Sequence, residues 1–294
     1  MENKEYSNYD FEQLTEVYFK NPWIRHKANH KGFEVLWSDY KTRKEKIVIK
    51  KLVNNFNYVD FEQAELDFQP LLKNAIEEWQ LKPKNTIFVA FKPHKYADGS
   101  NMFLSFLRPL LFEIDDDWCE GNFYSKINFG NERIKQGGNS EWGIKLEKVV
   151  LIDDFIGTGK TAVNTYNSVK DIIANTKFEI DLYVLSLGGM NFGLRYLYKN
   201  TFANYKTLHV QLKGTELAFS KNERKSARKF IKGMESVLSE GTEKLKLNDH
   251  SLGWGKSEAT FSLSRFNLPN NNYPIFWWNR YRNKAYRKPL FSRM

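Results

Sequence analysis

Cysteine is all but absent from this 294-residue chain: Cys119 stands alone, so no internal disulfide can form and no Cys-x-x-Cys pair is available for zinc. Proline and glycine are sparse as well, at 8 and 17 residues, which excludes collagen-like and linker-dominated classes. There is no run of about 18 apolar residues. Residues 1–12 are acidic and aromatic where a signal peptide would carry its apolar centre. The expectation is a cytoplasmic protein that neither spans nor binds a membrane.

Aromatic and basic side chains are plentiful. The 23 Phe, 15 Tyr and 8 Trp supply more apolar surface than a disordered chain carries. Lys and Arg number 45 against 35 Asp and Glu, a net charge of +10, which suits anionic ligands such as phosphorylated metabolites or nucleic acid.

The pattern divides the chain in three. Residues 1–84 carry helical spacing, with Leu66, Leu71, Leu72, Ile76 and Trp79 on one stripe and Ile47, Val48, Leu52 and Phe56 on another. Asp60 before Phe61-Glu62-Gln63 predicts an N-cap with a capping box. Residues 85–215 alternate strand and helix: strands over 86–91, 148–152, 180–187 and 207–212, with helices over 102–110, 161–173 and 194–198. Near-continuous apolar strands separated by helices predict an α/β fold, a parallel sheet with helices on both faces. Residues 216–294 form a basic amphipathic helix over about 220–238 and an aromatic, basic tail, expected as a cap packed on the core.

Val149 to Thr161 (VVLIDDFIGTGKT) carries the chemistry. Four apolar residues bring two acids to the carboxyl edge of a sheet, where open α/β sheets bind ligands. Gly157-Thr158-Gly159-Lys160-Thr161 then opens a helix whose N–H groups and dipole favour a phosphate. Acids beside a phosphate cradle would repel the anion unless they face hydroxyls or a cation. A sugar phosphate satisfies both halves. The nucleoside-triphosphate loop Gly-x4-Gly-Lys-Thr shares the ending, but its first glycine would fall on Asp154.

Over all thirteen positions the segment resembles the phosphoribosyl-pyrophosphate loop of the type I phosphoribosyltransferases. The resemblance implies that Asp153 and Asp154 form the catalytic acidic pair, holding the ribose 2′- and 3′-hydroxyls and touching Mg2+ indirectly, through those hydroxyls or water. Ile156, Gly157, Thr158, Gly159, Lys160 and Thr161 would bind the 5′-phosphate. By position, the pyrophosphate loop falls on Lys92 to Ser100, with Lys92, Pro93, His94, Asp98, Gly99 and Ser100 as its candidates. A flexible closing loop falls on residues 131–140, with Arg133 and Lys135. Outside the core, Leu252-Gly253-Trp254-Gly255, Ala259-Thr260-Phe261, the stretch from Asn267 to Trp277 and Pro289-Leu290-Phe291-Ser292-Arg293 look like the phosphoribosyltransferase-like proteins of bacterial antiphage systems, including retron-type cassettes. The activity implied is phosphoribosyl transfer to a nitrogen nucleophile with release of pyrophosphate. The competing reading is a non-catalytic component of a defence complex that senses a nucleotide or nucleic acid, with a nucleic-acid or protein partner on the basic C-terminal region.

Other constellations have plainer explanations. His26 and His30 are four apart but lack a third metal ligand. Cys119 follows Asp115-Asp116-Asp117-Trp118, surroundings that oppose a thiolate, and the three acids read as a solvated run.

Overall fold

The computed structural model describes residues 8–91, 99–138, 140–243 and 245–293. Along the chain run α1 (Asn8–Lys20), α2 (Lys27–Asp39), α3 (Arg43–Asn54), β1 (Asn57–Val59), α4 (Phe61–Trp79), β2 (Thr86–Ala90), α5 (Gly99–Ile114), β3 (Phe123–Tyr124) and α6 (Ile127–Gln136). They are followed by β4 (Lys148–Ile156), α7 (Lys160–Ala174), β5 (Asp181–Met190), α8 (Asn191–Thr201), β6 (Asn204–Gln211), α9 (Gly214–Ala218), α10 (Arg224–Met234), β7 (Gly241–Thr242), β8 (Leu245–Lys246) and β9 (Phe261–Leu263). Among the described residues no helix is long and apolar enough to cross a membrane.

Two compact units divide the chain, and not where the sequence pattern changes. One comprises residues 59–211 and 264–266, the other 1–58, 212–263 and 267–294. The expected boundary at residue 84 therefore moves to 58, because α4 belongs with the sheet. The basic, aromatic C-terminal segment shares one core with the first three helices, where Phe33, Trp37, Ile49 and Leu52 pack with Tyr273, Phe276, Trp277 and Leu290. The two terminal segments pool their apolar side chains in that one core.

Helix α3 of this terminal unit starts at a complete capping box. Thr42 Oγ1 accepts from the Glu45 amide at 3.3 Å, and Glu45 Oε2 accepts from the Thr42 amide at 2.9 Å. Arg287, fully buried, donates to Asp39 at 2.7 Å and to the carbonyls of Trp278 and Ile275, tying the tail to α2. Burying a guanidinium is tolerable only with such complete pairing.

In the sheet unit, Asp60 caps α4 through the Glu62 amide at 3.1 Å, but the expected box does not close. Gln63 donates instead to Asp67, one turn on, at 2.8 Å. The buried stripe of α4 is Ala64, Phe68, Leu72, Ala75 and Trp79, and Leu66 faces water, 67% exposed. The same spacing admits two neighbouring stripes, and the wider aromatic one wins burial.

The sheet has five parallel strands in the order β3-β2-β4-β5-β6. It is the expected α/β architecture with helices on both faces. On one face Ile87, Val89, Val149, Leu151 and Val184 pack with Ile134 of α6, Val163 and Val169 of α7 and Leu194 and Leu197 of α8. Strand alternation sends Phe88, Val150 and Tyr183 to the other face. There Trp79 of α4 stacks on Tyr183 at 4.6 Å, and Phe68 meets Phe103 of α5 edge-on at 5.4 Å. From β2 the chain crosses through α5 to β3 on one side, and from β4 through α7 to β5 on the other. The order thus reverses between β2 and β4, whose carboxyl ends border the crevice where open α/β sheets take ligands.

Candidate functional site

Strand β4 runs to Ile156, four residues beyond its expected end, so the acidic pair lies in the strand and not in the loop after it. Asp153 pairs in register with Ser186 of β5 and is 5% exposed. Asp154 is half-buried. Adjacent strand residues leave opposite faces, so the two acids diverge. Asp154 turns to the α5 side, where a methyl group on Gly99 would fall 1.9 Å from its Oδ2. Only a residue without a side chain permits that approach. The first residue of α5 and the second acid thus meet at the β2/β4 switch point. Ser100 beside them is fully buried. Of the remaining pyrophosphate-loop candidates, Lys92, Pro93, His94 and Asp98 lie outside the described residues.

One turn further on, Gly157 and Thr158 are half-buried, Gly159 is buried, and Lys160 and Thr161 are exposed. Gly159, at φ 78°, N-caps α7 with no capping side chain, and no acid occupies the first turn. The leading N–H groups of a helix have no intrahelical partner. Here a side chain engages one of them weakly, the Thr158 hydroxyl accepting from the Lys160 amide at 3.4 Å. An uncapped N-terminus with no acid in its first turn has the polarity and donors for an anion. Ile156 contributes differently from its expected part in phosphate binding. Its side chain is 2% exposed, inside the core with Leu151, Ala162 and Val163, and it anchors the loop instead of lining it.

Gly193 is a position at the candidate site that sequence reasoning missed. A methyl group there would lie 2.0 Å from the Gly157 carbonyl oxygen and 3.1 Å from the Gly159 nitrogen. The first turn of α8 therefore presses against the Gly157–Gly159 loop and fixes its path from behind. Gly188-Gly189-Met190-Asn191-Phe192-Gly193 carried the signal: a glycine in a helix's first turn marks a close backbone approach. On the next strand His209 pairs in register with Gly188, and burial pushes its imidazole below the usual range, with Asp67 opposing weakly.

The segment expected to be a mobile closing loop is mostly helix α6. Arg133 is 5% exposed and donates to the carbonyls of Gly137, Gly138 and Ile144 at 2.8–3.0 Å. It closes the end of its own helix and does not face a ligand. Lys135 is exposed. Arg at the last turn of a helix is drawn to the unsatisfied carbonyls there, which the loop reading overlooked. Among the described residues, one group has three potential metal ligands within reach of one another, Asp115, Asp116 and Asp117, all exposed.

The open parallel α/β sheet thus carries an acid and the first residue of a helix at its switch point, next to an uncapped glycine loop. The chain belongs to the PRTase-CE family, which it matches over residues 37–293. It is therefore a phosphoribosyltransferase-like protein, and the match takes in the sheet unit and most of the terminal unit. Among solved structures it is similar to adenine phosphoribosyltransferase from Thermoanaerobacter pseudethanolicus, at 16% identity over 58% of this chain and 88% of that one, with a TM-score of 0.28. No curated protein matches it.

Proposed function

We propose that the sheet unit binds phosphoribosyl pyrophosphate or a related nucleotide with Mg2+ and transfers the phosphoribosyl group to a nitrogen nucleophile, releasing pyrophosphate. The approach of Asp154 to Gly99 at the switch point carries this reading. It puts a half-buried carboxylate at the switch point, and the uncapped start of α7 at Gly159 follows five residues later in the chain. In the reaction the bond from ribose C1 to the pyrophosphate oxygen breaks and a C1–N bond forms. Asp154 is the group suited to receive the proton from the attacking nitrogen. Asp153, buried beside Ser186, supports the strand end electrostatically. Mg2+ fits the donors present: it takes hard oxygens, keeps several waters, and needs one or two carboxylates plus the ligand's own phosphates. When bound, it would neutralise the leaving pyrophosphate. The antiphage, retron-type setting and a cytoplasmic location are part of this proposal, resting on the resemblance of the C-terminal motifs.

Calorimetry with phosphoribosyl pyrophosphate and Mg2+ tests it, with Asp154→Asn as the control. Absence of binding by the wild type, or equal binding by both, overturns the proposal. Because the phosphate is held by backbone N–H groups and hydroxyls, Lys160→Ala should weaken affinity less than about tenfold, ~1.4 kcal/mol, while Gly157→Val should abolish it. The reverse ranking would reopen the triphosphate-loop reading.

A further inference from the structure

The two units differ in charge. The terminal unit holds 27 Lys and Arg against 15 Asp and Glu, a net +12, whereas the sheet unit holds 18 against 20, a net −2. The entire basic excess of the chain thus belongs to the unit without the candidate phosphoribosyl site. A strongly basic unit attracts polyanions.

Its cations are not evenly used. Of the charges on and before α10, Arg228 is bonded to the buried Glu258 at 2.6 Å and Arg224 reaches backbone carbonyls. Lys225, Lys229 and Lys232 recur every three or four residues on the exposed stripe, opposite the buried Ala227, Ile231 and Met234, and form no ion pair among the described residues. A second set sits on a tight hairpin in which Tyr281 N donates to Ala285 O and Lys284 N to Tyr281 O. Arg280, Arg282 and Lys284 are exposed there and likewise form no ion pair among the described residues. The hairpin is held from behind, since Tyr281 donates to Asp39 at 2.9 Å and Arg287 to the same carboxylate. Unpaired cations on a fixed base need little ordering when they bind an anion.

The two sets flank the Gly241–Lys246 hairpin. On one side a cavity of about 690 Å3 is lined by Trp278, Arg280, Arg282 and Lys284, with Glu240 as its acid. On the other a cavity of about 560 Å3 shares Glu240, Gly241 and Thr242 with the first and takes in Lys232 and Lys246 along with Glu235 and Glu243, so the cations of this side lie on its α10 rim. Tyr286, bridged to Arg280 across the basic hairpin, is 61% exposed. Rows of cations for phosphates and an exposed ring for a base are the components of single-strand recognition. A duplex has no free base to place against the ring.

We propose that the terminal unit binds single-stranded nucleic acid, its phosphates running along Lys225, Lys229 and Lys232 and on to Arg280, Arg282 and Lys284, with a base stacked on Tyr286. The proposal does not depend on the phosphoribosyl reading, and its test is run in EDTA without sugar phosphate, so either can fail alone. Fluorescence anisotropy on the full chain would use labelled 15-mers of dT and of U, a 15-base-pair duplex, and a polyglutamate competitor, over 50–300 mM salt. Both single strands should bind more tightly than the duplex. The ratio of dT to U affinity tells which of the two nucleic acids is preferred. The triple variant R280A/R282A/K284A should weaken binding at least tenfold and flatten the log–log salt slope by about 2, at ~0.7 per lost phosphate contact. Tyr286→Ala should weaken binding several-fold and leave the slope unchanged. All these side chains are exposed, and a Lys225→Glu/Lys229→Glu variant repeats the test on a separate element. Duplex binding as tight as single-strand binding, a triple variant with the wild-type slope, or equal competition by polyglutamate would overturn the proposal.

Discussion

Gly193→Ala separates a loop held by its own sequence from one held by its neighbour. Gly193 lies in the first turn of α8 without a positive φ, so alanine fits the backbone and by helix propensity alone would stabilise by about 0.8–1 kcal/mol. Against that, the new methyl group would sit 2.0 Å from the Gly157 carbonyl oxygen. Carbon and oxygen need roughly 3 Å, so α8 or the phosphate loop has to move by about 1 Å, an overpacking penalty of typically 1–3 kcal/mol. The net loss should be about 0–2 kcal/mol, a fall in Tm of a few degrees by thermal unfolding. Binding should suffer more. An amide displaced by about 1 Å from a 2.9 Å hydrogen bond no longer makes it. Each bond to a charged phosphate is worth about 1.5–3 kcal/mol, so one lost bond lowers affinity roughly ten- to hundredfold. Calorimetry with the sugar phosphate reads this directly. A variant that is more stable than the wild type and binds equally well would show that α8 does not set the loop's path.

Three further outcomes follow from buried charges. Arg133→Ala and Arg133→Lys should both lower stability by about 2–4 kcal/mol in urea unfolding, since a lysine cannot reach three carbonyls; if the lysine variant is as stable as the wild type, the guanidinium is not closing α6. Asp39→Asn should destabilise by about 3–5 kcal/mol, because Arg287 would keep its charge in a fully buried position without a counter-ion; a change below 1 kcal/mol would contradict the pairing. His250 is buried, with Nδ1 lacking a hydrogen-bond partner, and burial with help from Arg293 depresses its basicity, Asp249 opposing. The unfolded state therefore takes up a proton first as pH falls through about 6.5, so this contribution is fully present above that value and is lost below it. His250→Gln should flatten the dependence of Tm on pH between 7.5 and 5.5, and an unchanged profile would exclude His250 as its source.

The local strand-turn-helix order was readable from the chain itself. Four apolar residues, two acids and a Gly/Thr turn before a helix located the candidate phosphate loop between β4 and α7, because strand burial, glycine's close approach and an uncapped helix are near-neighbour effects. Periodicity likewise located β2, β4, β5, β6 and α7 to within a few residues, apart from the carboxyl ends of β4 and β5, which run three or four residues further. It missed β3, whose two residues are too short for any pattern.

Tertiary structure decided whatever depends on which distant residues meet. Strand order set Asp154 against Gly99, fifty-five residues earlier, and brought Gly193 behind a loop whose own sequence makes no reference to it. The same applies to Arg133, which as text is a basic residue in a polar stretch and in the fold is a buried bridge to three carbonyls. The largest reversal concerns the terminal thirds. Read singly they are a helical preface and an aromatic tail, but Asp39 and Arg287 pair across 248 positions because neither segment can bury its rings without the other. Near-neighbour rules fix which residues form a helix or cradle a phosphate; the closure of long loops and the sharing of a core are global, and no window of sequence contains both partners.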